Sequence, residues 1–549
     1  MYQPPLFRED ILSRIFNNFH FYLTSNEWGV HFLLVCLVLG AYLLLFRPHN
    51  HCYAGLRWKE TYYWQKTDMP ALIFPVAVFI FYLAVFYRQE ASIFSYPDLM
   101  SHLNLDIFKN GVTPVYGHYE RVRPFGFWEN NIFYAVSENM HILNLTVWLS
   151  VLAFMAAMYF WLDFIPVKKR LTLIGLAVLL PGYFWTNNLI FNERIWLIEV
   201  ILSLIFLRRF LRQGTLADLA IFALLMNIAL YSKETVTLFY AGIFAVFGSE
   251  KILTGKIVPK DFLHPVQLLR KFPVEITLFN SLLFFFVFYH LILFSIKDSA
   301  YLDRRTGEFI KLISLYWYET VVSMIAAAIL AFRLVRNKIH TLWDGIAAGS
   351  LAVTGYVYYL SLMPESQFMD WKSYYLILPC IFLTIYVLNA VKNLKLFYVL
   401  AAFITLYSIN FNYTHMDRLE GKEYRGVAEF ISKNSQTGKT FNLYMSPHSE
   451  VNIWWYGTWA SGLKYVFPDR KINIKLPGLP QYENELMILF YQQDKENYQP
   501  LSIIKEKPQK GDYYLLRRNQ YYNEDMEFIK ELPRIRVYEN RSFEIYHIL

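Results

Sequence analysis

The chain has 549 residues, of which 19% are aromatic and only 17% charged, with a mean hydropathy of +0.26. A soluble enzyme of this size carries nearer a quarter charged residues, so a wholly water-soluble chain is excluded. The net charge of +8 sits in short gaps between apolar runs, which argues against a nucleic-acid partner.

The charge deficit is uneven. Residues 412–549 hold 37 charges in 138 positions (27%), and the first 411 residues hold 59 (14%), so an apolar body is followed by a module of ordinary soluble composition. Cys36, Cys52 and Cys380 lie in or beside apolar runs and the tail has none, so neither a disulfide framework nor a CxxC metal site is expected.

After an N-terminal segment, 1–27, the first apolar run starts near Trp28. It is about nineteen residues long with its basic flank behind it, and reads as a retained membrane segment rather than a removable signal. Further runs long enough, or nearly so, to cross a hydrocarbon core of roughly 30 Å lie near 70–87, 143–165, 171–185, 194–207, 216–231, 235–249, 274–296, 309–332, 343–363, 373–391 and 395–411. The expectation is a polytopic α-helical membrane domain over 28–411, with about twelve transmembrane helices, and an extracytoplasmic α/β domain over 412–549. In that domain Tyr424, Val427, Phe430 and Ile431 follow a helical period, strands are expected at 440–445, 471–476, 512–517 and 542–548, and a second helix near 524–531.

Lys and Arg set the orientation, because cytoplasmic loops retain positive charge. Alternate gaps from 47–69 onward carry 20 basic residues, among them Lys168–Arg170, Arg208, Arg209 and Arg212; the longer opposite set carries 13. The first set is therefore expected in the cytosol. The large loop 88–142 and the tail then face outward, to the periplasm, cell exterior or an organelle lumen, and a multi-pass protein of a bacterial inner membrane is the expected setting.

The outward gaps hold the candidate chemistry. The 88–142 loop carries Asp98, Asp106, Glu120, Arg121 and Arg123, the last held extended by Pro124 at the head of RPFGFW. Later gaps bring Glu193 and Arg194 in NERIW, and Lys233 and Glu234 in YSKET, where charge near membrane depth is costly. A solvated loop and snorkelling arginines are the structural alternatives. Glu199 and Glu319 lie inside apolar spans and read either as relay groups or as groups paired with polar neighbours within the bundle. The PHNHC cluster (His49, His51, Cys52) falls on the cytoplasmic side. The run Trp454 to Trp459 suits a sugar platform, a membrane interface or a domain core.

Asp98 in a long first outward loop, ERVRPFGFW, NERIW and YSKET together resemble the GT-C superfamily of membrane glycosyltransferases. Its members include protein O-mannosyltransferases and lipid A aminoarabinose transferases. The resemblance covers the layout of most of the chain and implies a polyprenyl-phosphate sugar as donor, with an acid of the first outward loop as general base. That role maps onto Asp98, with Asp106 and Glu120 as substitutes, because Pro97 and Asp98 stand where many members have an adjacent acidic pair. This chain also has an additional span before the loop.

The chemistry agrees with these residue types. A base must take the acceptor hydroxyl proton, and cations must stabilise the departing phosphate. Arg121, Arg123, Arg194 and Lys233 are the expected phosphate ligands, and a single-base displacement inverts the anomeric carbon. The implied partners are membrane lipids, the lipid-linked sugar, and an acceptor lipid, glycan or protein. No metal ligand set is assigned, and dependence on a divalent ion is left open. An O-antigen ligase or polymerase is the alternative enzyme; a transporter or adaptor is the alternative from another class.

Overall fold

The computed structural model describes residues 10–13, 27–47, 61–88, 132, 136–137, 140–186, 193–256, 263–293, 316–336, 341–362, 375–415, 421–445, 469–477, 503–504, 507–518 and 522–549. Every apolar run singled out in the sequence contains a helix. These are α1 (Glu27–Phe46), α2 (Ile73–Arg88), α3 (Met140–Trp161), α4 (Val167–Leu179), α5 (Pro181–Thr186), α6 (Glu193–Gln213), α7 (Leu216–Ser232) and α8 (Thr235–Leu253). They continue with a short α9 (Pro265–Lys271), then α10 (Pro273–Leu293), α11 (Trp317–Val335), α12 (Thr341–Leu362), α13 (Ile377–Ala390) and α14 (Leu394–His415).

The apolar side chains on the outside of these helices identify the solvent. Leu37, Leu44, Phe403 and Leu406 are each more than half exposed, which suits lipid and not water. Among the described residues four segments are individually long and apolar enough to cross a bilayer: Lys66–Leu83, Thr235–Leu253, Trp317–Val335 and Leu394–Asn412. A fifth is added if α9 and α10, which bend by 102°, form one span. Shorter apolar helices such as Leu216–Ser232 and Ile377–Ala390 pack among them. The chain is a membrane protein with a helical body.

The run expected as one span at 171–185 is broken. Pro181 lacks an N–H and forces Leu180 into an extended conformation (ψ 137), so α4 stops and α5 begins afresh. The Leu179 carbonyl accepts a 2.8 Å hydrogen bond from Nδ2 of buried Asn412 on α14. Asn412 is therefore a structural tie, although it begins an N-x-S/T triplet.

Close packing inside the body depends on small residues. A Cβ at Gly349 of α12 would lie 2.2 Å from the Phe239 carbonyl oxygen of α8, and one at Gly242 of α8 would lie 2.4 Å from the Gly349 backbone. Neither backbone can yield, so α8 and α12 approach only through glycines. Gly349→Val is expected to destabilise the body by about 1–3 kcal/mol or more through overpacking, read as a lower melting temperature in detergent.

At one end of the body the described basic gaps interlock. Arg170 donates to the Tyr62 and Asp163 carbonyls, both at 2.8 Å, and Arg208 and Arg212 pair with Asp163. Lys169 reaches the Val391 carbonyl at 2.9 Å, and Arg333 meets Asp344 at 3.2 Å. Trp161, Trp343 and Phe382 pack just inside this end. The cations among them, Lys169, Arg170, Arg208, Arg212 and Arg333, all come from the gap set that the sequence groups by charge.

The C-terminal module contains α15 (Gly421–Asn434), β1 (Thr440–Met445), β2 (Lys471–Pro477), β3 (Ile503–Ile504), β4 (Tyr513–Arg517), α16 (Tyr522–Phe528), β5 (Arg534–Glu539) and β6 (Phe543–Ile548). Its sheet runs β3-β2-β1-β4-β6-β5, parallel through β4 and antiparallel beyond. α15 lays Phe430 against Tyr513, and α16 helps to cover Tyr444, Tyr514 and Leu516. The second helix starts two residues before the expected 524–531 and ends earlier, while β3 and β5 are additional strands.

Glu544 on β6 is buried. Burial alone would push its carboxyl up, but hydrogen bonds from Tyr546 (2.5 Å), Arg518 (2.8 Å) and Tyr522 (3.0 Å) outweigh this and hold it below the usual carboxylate range. A depressed folded-state carboxyl contributes stability above its unfolded pKa and loses it as pH falls through the folded value. The module should therefore weaken in acid, and Glu544→Gln should flatten that dependence while costing about 1–3 kcal/mol near neutrality. Melting curves of the full chain across pH 3–7 check this, with the near-ultraviolet signal of the module's tyrosines as readout.

Candidate functional site

At the end opposite the interlocked basic gaps, two cations are taken out of solvent. Arg194 sits in the first turn of α6 and is 0% exposed. Its Nη1 donates to Thr146 Oγ1 of α3 at 3.2 Å, and the Tyr183 hydroxyl of α5 lies within its field. A guanidinium at the positive end of a long helix opposes the helix dipole, so the two positive contributions add and favour an anion there.

Lys233 follows the last residue of α7, leaves the helix in an extended conformation and is 1% exposed. Its Nζ lies 4.9 Å above the ring of Tyr375, just before α13, a cation–π contact. Next to it in the chain, Ser232 donates to Glu199 Oε2 of α6 at 3.1 Å. Glu199 is five residues after Arg194, roughly 7.5 Å along the helix axis. The Glu199–Ser232 bond therefore brings the Lys233 corner to the outer part of α6, with Arg194 just above it. Glu234 is half-buried at the start of α8, where its carbonyl accepts from Thr237 N at 3.1 Å.

This arrangement can hold an anion in a poorly solvated place, where charge-assisted hydrogen bonds are strong. Of the candidates from the sequence, Arg194 and Lys233 come to the same end of the body. Asp98, Asp106, Glu120, Arg121 and Arg123 lie outside the described residues, as do the side chain of Glu193, the PHNHC cluster and the tryptophans of 454–459. No group of three or more His, Cys, Asp or Glu able to hold a metal occurs among the described residues. Thr146, Tyr183, Ser232 and Tyr375 were not singled out by sequence. Thr146, Tyr183 and Tyr375 are ordinary residues of apolar runs that only tertiary packing brings beside a buried cation, whereas Ser232 adjoins Lys233 in YSKET and gains its role through the bond to Glu199.

The fold and this site describe a polytopic helical membrane protein that buries Arg194 and Lys233 at the end opposite its interlocked basic gaps, with a C-terminal α/β module. No family model matches the chain, and no curated protein matches it. Among solved structures it is similar to ArnT from Cupriavidus metallidurans bound to undecaprenyl phosphate, at 11% identity and a TM-score of 0.47, over 86% of this chain and 97% of that one.

Proposed function

We propose that this chain is a GT-C-type membrane glycosyltransferase that moves a sugar from a polyprenyl-phosphate donor to an acceptor hydroxyl on the extracytoplasmic side, with inversion. The observation that carries the reading is the burial of Arg194 and Lys233 at one end of the helical body. A lipid phosphate presents its anion at that depth, and two desolvated cations would bind it far better than a neutral headgroup.

In this reading Asp98 takes the acceptor hydroxyl proton. The acceptor oxygen bonds to the anomeric carbon while the carbon–oxygen bond to phosphate breaks, and the phosphate leaves with the electron pair. Arg121, Arg123, Arg194 and Lys233 stabilise that developing charge. The loop 88–142 and the α/β module lie outside the cytosol, in the periplasm or beyond a bacterial inner membrane, and the acceptor is a lipid, a glycan or a protein.

The break at Pro181 does not favour a transporter. Broken helices in transporters use their freed carbonyls to line a substrate site, whereas here Asn412 occupies the Leu179 carbonyl. Native mass spectrometry with undecaprenyl phosphate tests the phosphate reading. The wild type should retain the lipid through detergent release, and a variant carrying Arg194→Gln and Lys233→Met should not. Equal retention by both would overturn it.

A further inference from the structure

A buried acid lies apart from the two cations. Glu319, in the first turn of α11, is 5% exposed. Its carboxyl is met by its own backbone N–H and by the Cys380 thiol of α13, whose Sγ lies 3.8 Å from Oε1 and is a weak donor. Among the described residues Oε2 has no hydrogen-bond partner, and neither has the nearby hydroxyl of Tyr407 on α14.

The remaining polar neighbours do not supply a charge. Tyr318, on the same helix, stacks on Tyr407 at 5.0 Å and shares a 2.9 Å hydrogen bond with Thr384 of α13. From α12, Tyr358 is bonded to Thr320. No Lys, Arg or His forms an ion pair with Glu319 among the described residues. An ionised carboxylate here would lose its hydration and gain only a thiol and an amide, far less than a buried charge requires. A bound cation needs room and several oxygen ligands, while Cys380 and Tyr318 are themselves buried against the acid. A proton needs neither.

We propose that Glu319 is a proton-binding site inside the membrane body: the carboxyl carries a proton at neutral pH, held among α11, α13 and α14. The Tyr407 hydroxyl beside it is the neighbour able to share that proton when the cluster rearranges. Neither group takes part in the transfer described above, so this site stands or falls independently of that reaction.

Infrared titration of the purified full chain in lipid tests the proposal. The wild type should show the carbonyl stretch of a protonated carboxylic acid at neutral pH. Glu319→Gln should remove that band and melt with the wild type, since the amide copies the protonated acid in shape and charge. Glu199→Gln should retain it. Cys380→Ser supplies a stronger donor to the carboxylate, so the band should titrate away at lower pH. The proposal is overturned if no Glu319-dependent band exists at neutral pH, if Glu319→Gln unfolds the body while Glu319→Asp does not, or if Cys380→Ser leaves the titration unchanged.

Discussion

Asp98→Asn is expected to lower sugar transfer by about 10²–10⁴-fold, the usual contribution of a positioned general base, while leaving donor binding and membrane insertion intact. Asparagine keeps the shape and the hydrogen-bonding oxygen but cannot take the hydroxyl proton. The measurement is initial rate against donor concentration for folded, membrane-inserted protein. A fall in turnover at unchanged donor affinity supports the base assignment. Full activity would reject it and move the role to Asp106 or Glu120, for which the corresponding amide variants give the same readout.

The second large effect falls on the phosphate ligands. Arg194→Gln and Lys233→Met should each reduce turnover by about 10²–10³-fold, because each removes a preorganised cation from a poorly solvated place where phosphate charge develops. Lys233→Met loses the cation–π contact with Tyr375, so a fall in melting temperature should accompany its rate effect. Arg194→Gln also loses the hydrogen bond to Thr146, so a modest fall in melting temperature should accompany the rate effect. Lost stability with retained turnover would make both residues structural.

The membrane body was largely legible in the sequence because its signal is compositional. A run of apolar residues near the length of a bilayer has few alternatives to a helix, since every backbone group must be satisfied internally. Described gaps of the basic set also come together, as the ties among Arg170, Tyr62, Asp163 and Arg208 demonstrate. The break at Leu180–Pro181 was carried by one proline in an apolar run, a signal that competes with the hydrophobicity on either side. In the tail, β1 matched residue for residue, whereas β5 was missed: Ile535 and Val537 are exposed at the sheet edge, and their arginine neighbours look like a solvated loop.

The site was legible only in part, for a physical reason. Arg194 and Lys233 stand out because a charge within an apolar run is expensive and needs an explanation. Thr146, Tyr183 and Tyr375 carry no such cost and become meaningful only when α3, α5 and the start of α13 converge on those cations. Glu319 was visible as an anomaly, read as a relay group or as paired with polar neighbours in the bundle. Among the described residues its partners are the weak Cys380 thiol and its own amide, and that thin pairing motivates the proton site.

The most direct measurement is turnover by the purified protein supplied with a panel of undecaprenyl- and dolichyl-phosphate sugars together with lipid, glycan and peptide acceptors, with products resolved by mass. The account predicts that one donor is consumed only when an acceptor is present, releasing the free lipid phosphate and an acceptor heavier by one sugar of inverted configuration. Binding without consumption across the whole panel, or passage of the intact lipid-linked sugar across a sealed vesicle, would contradict it.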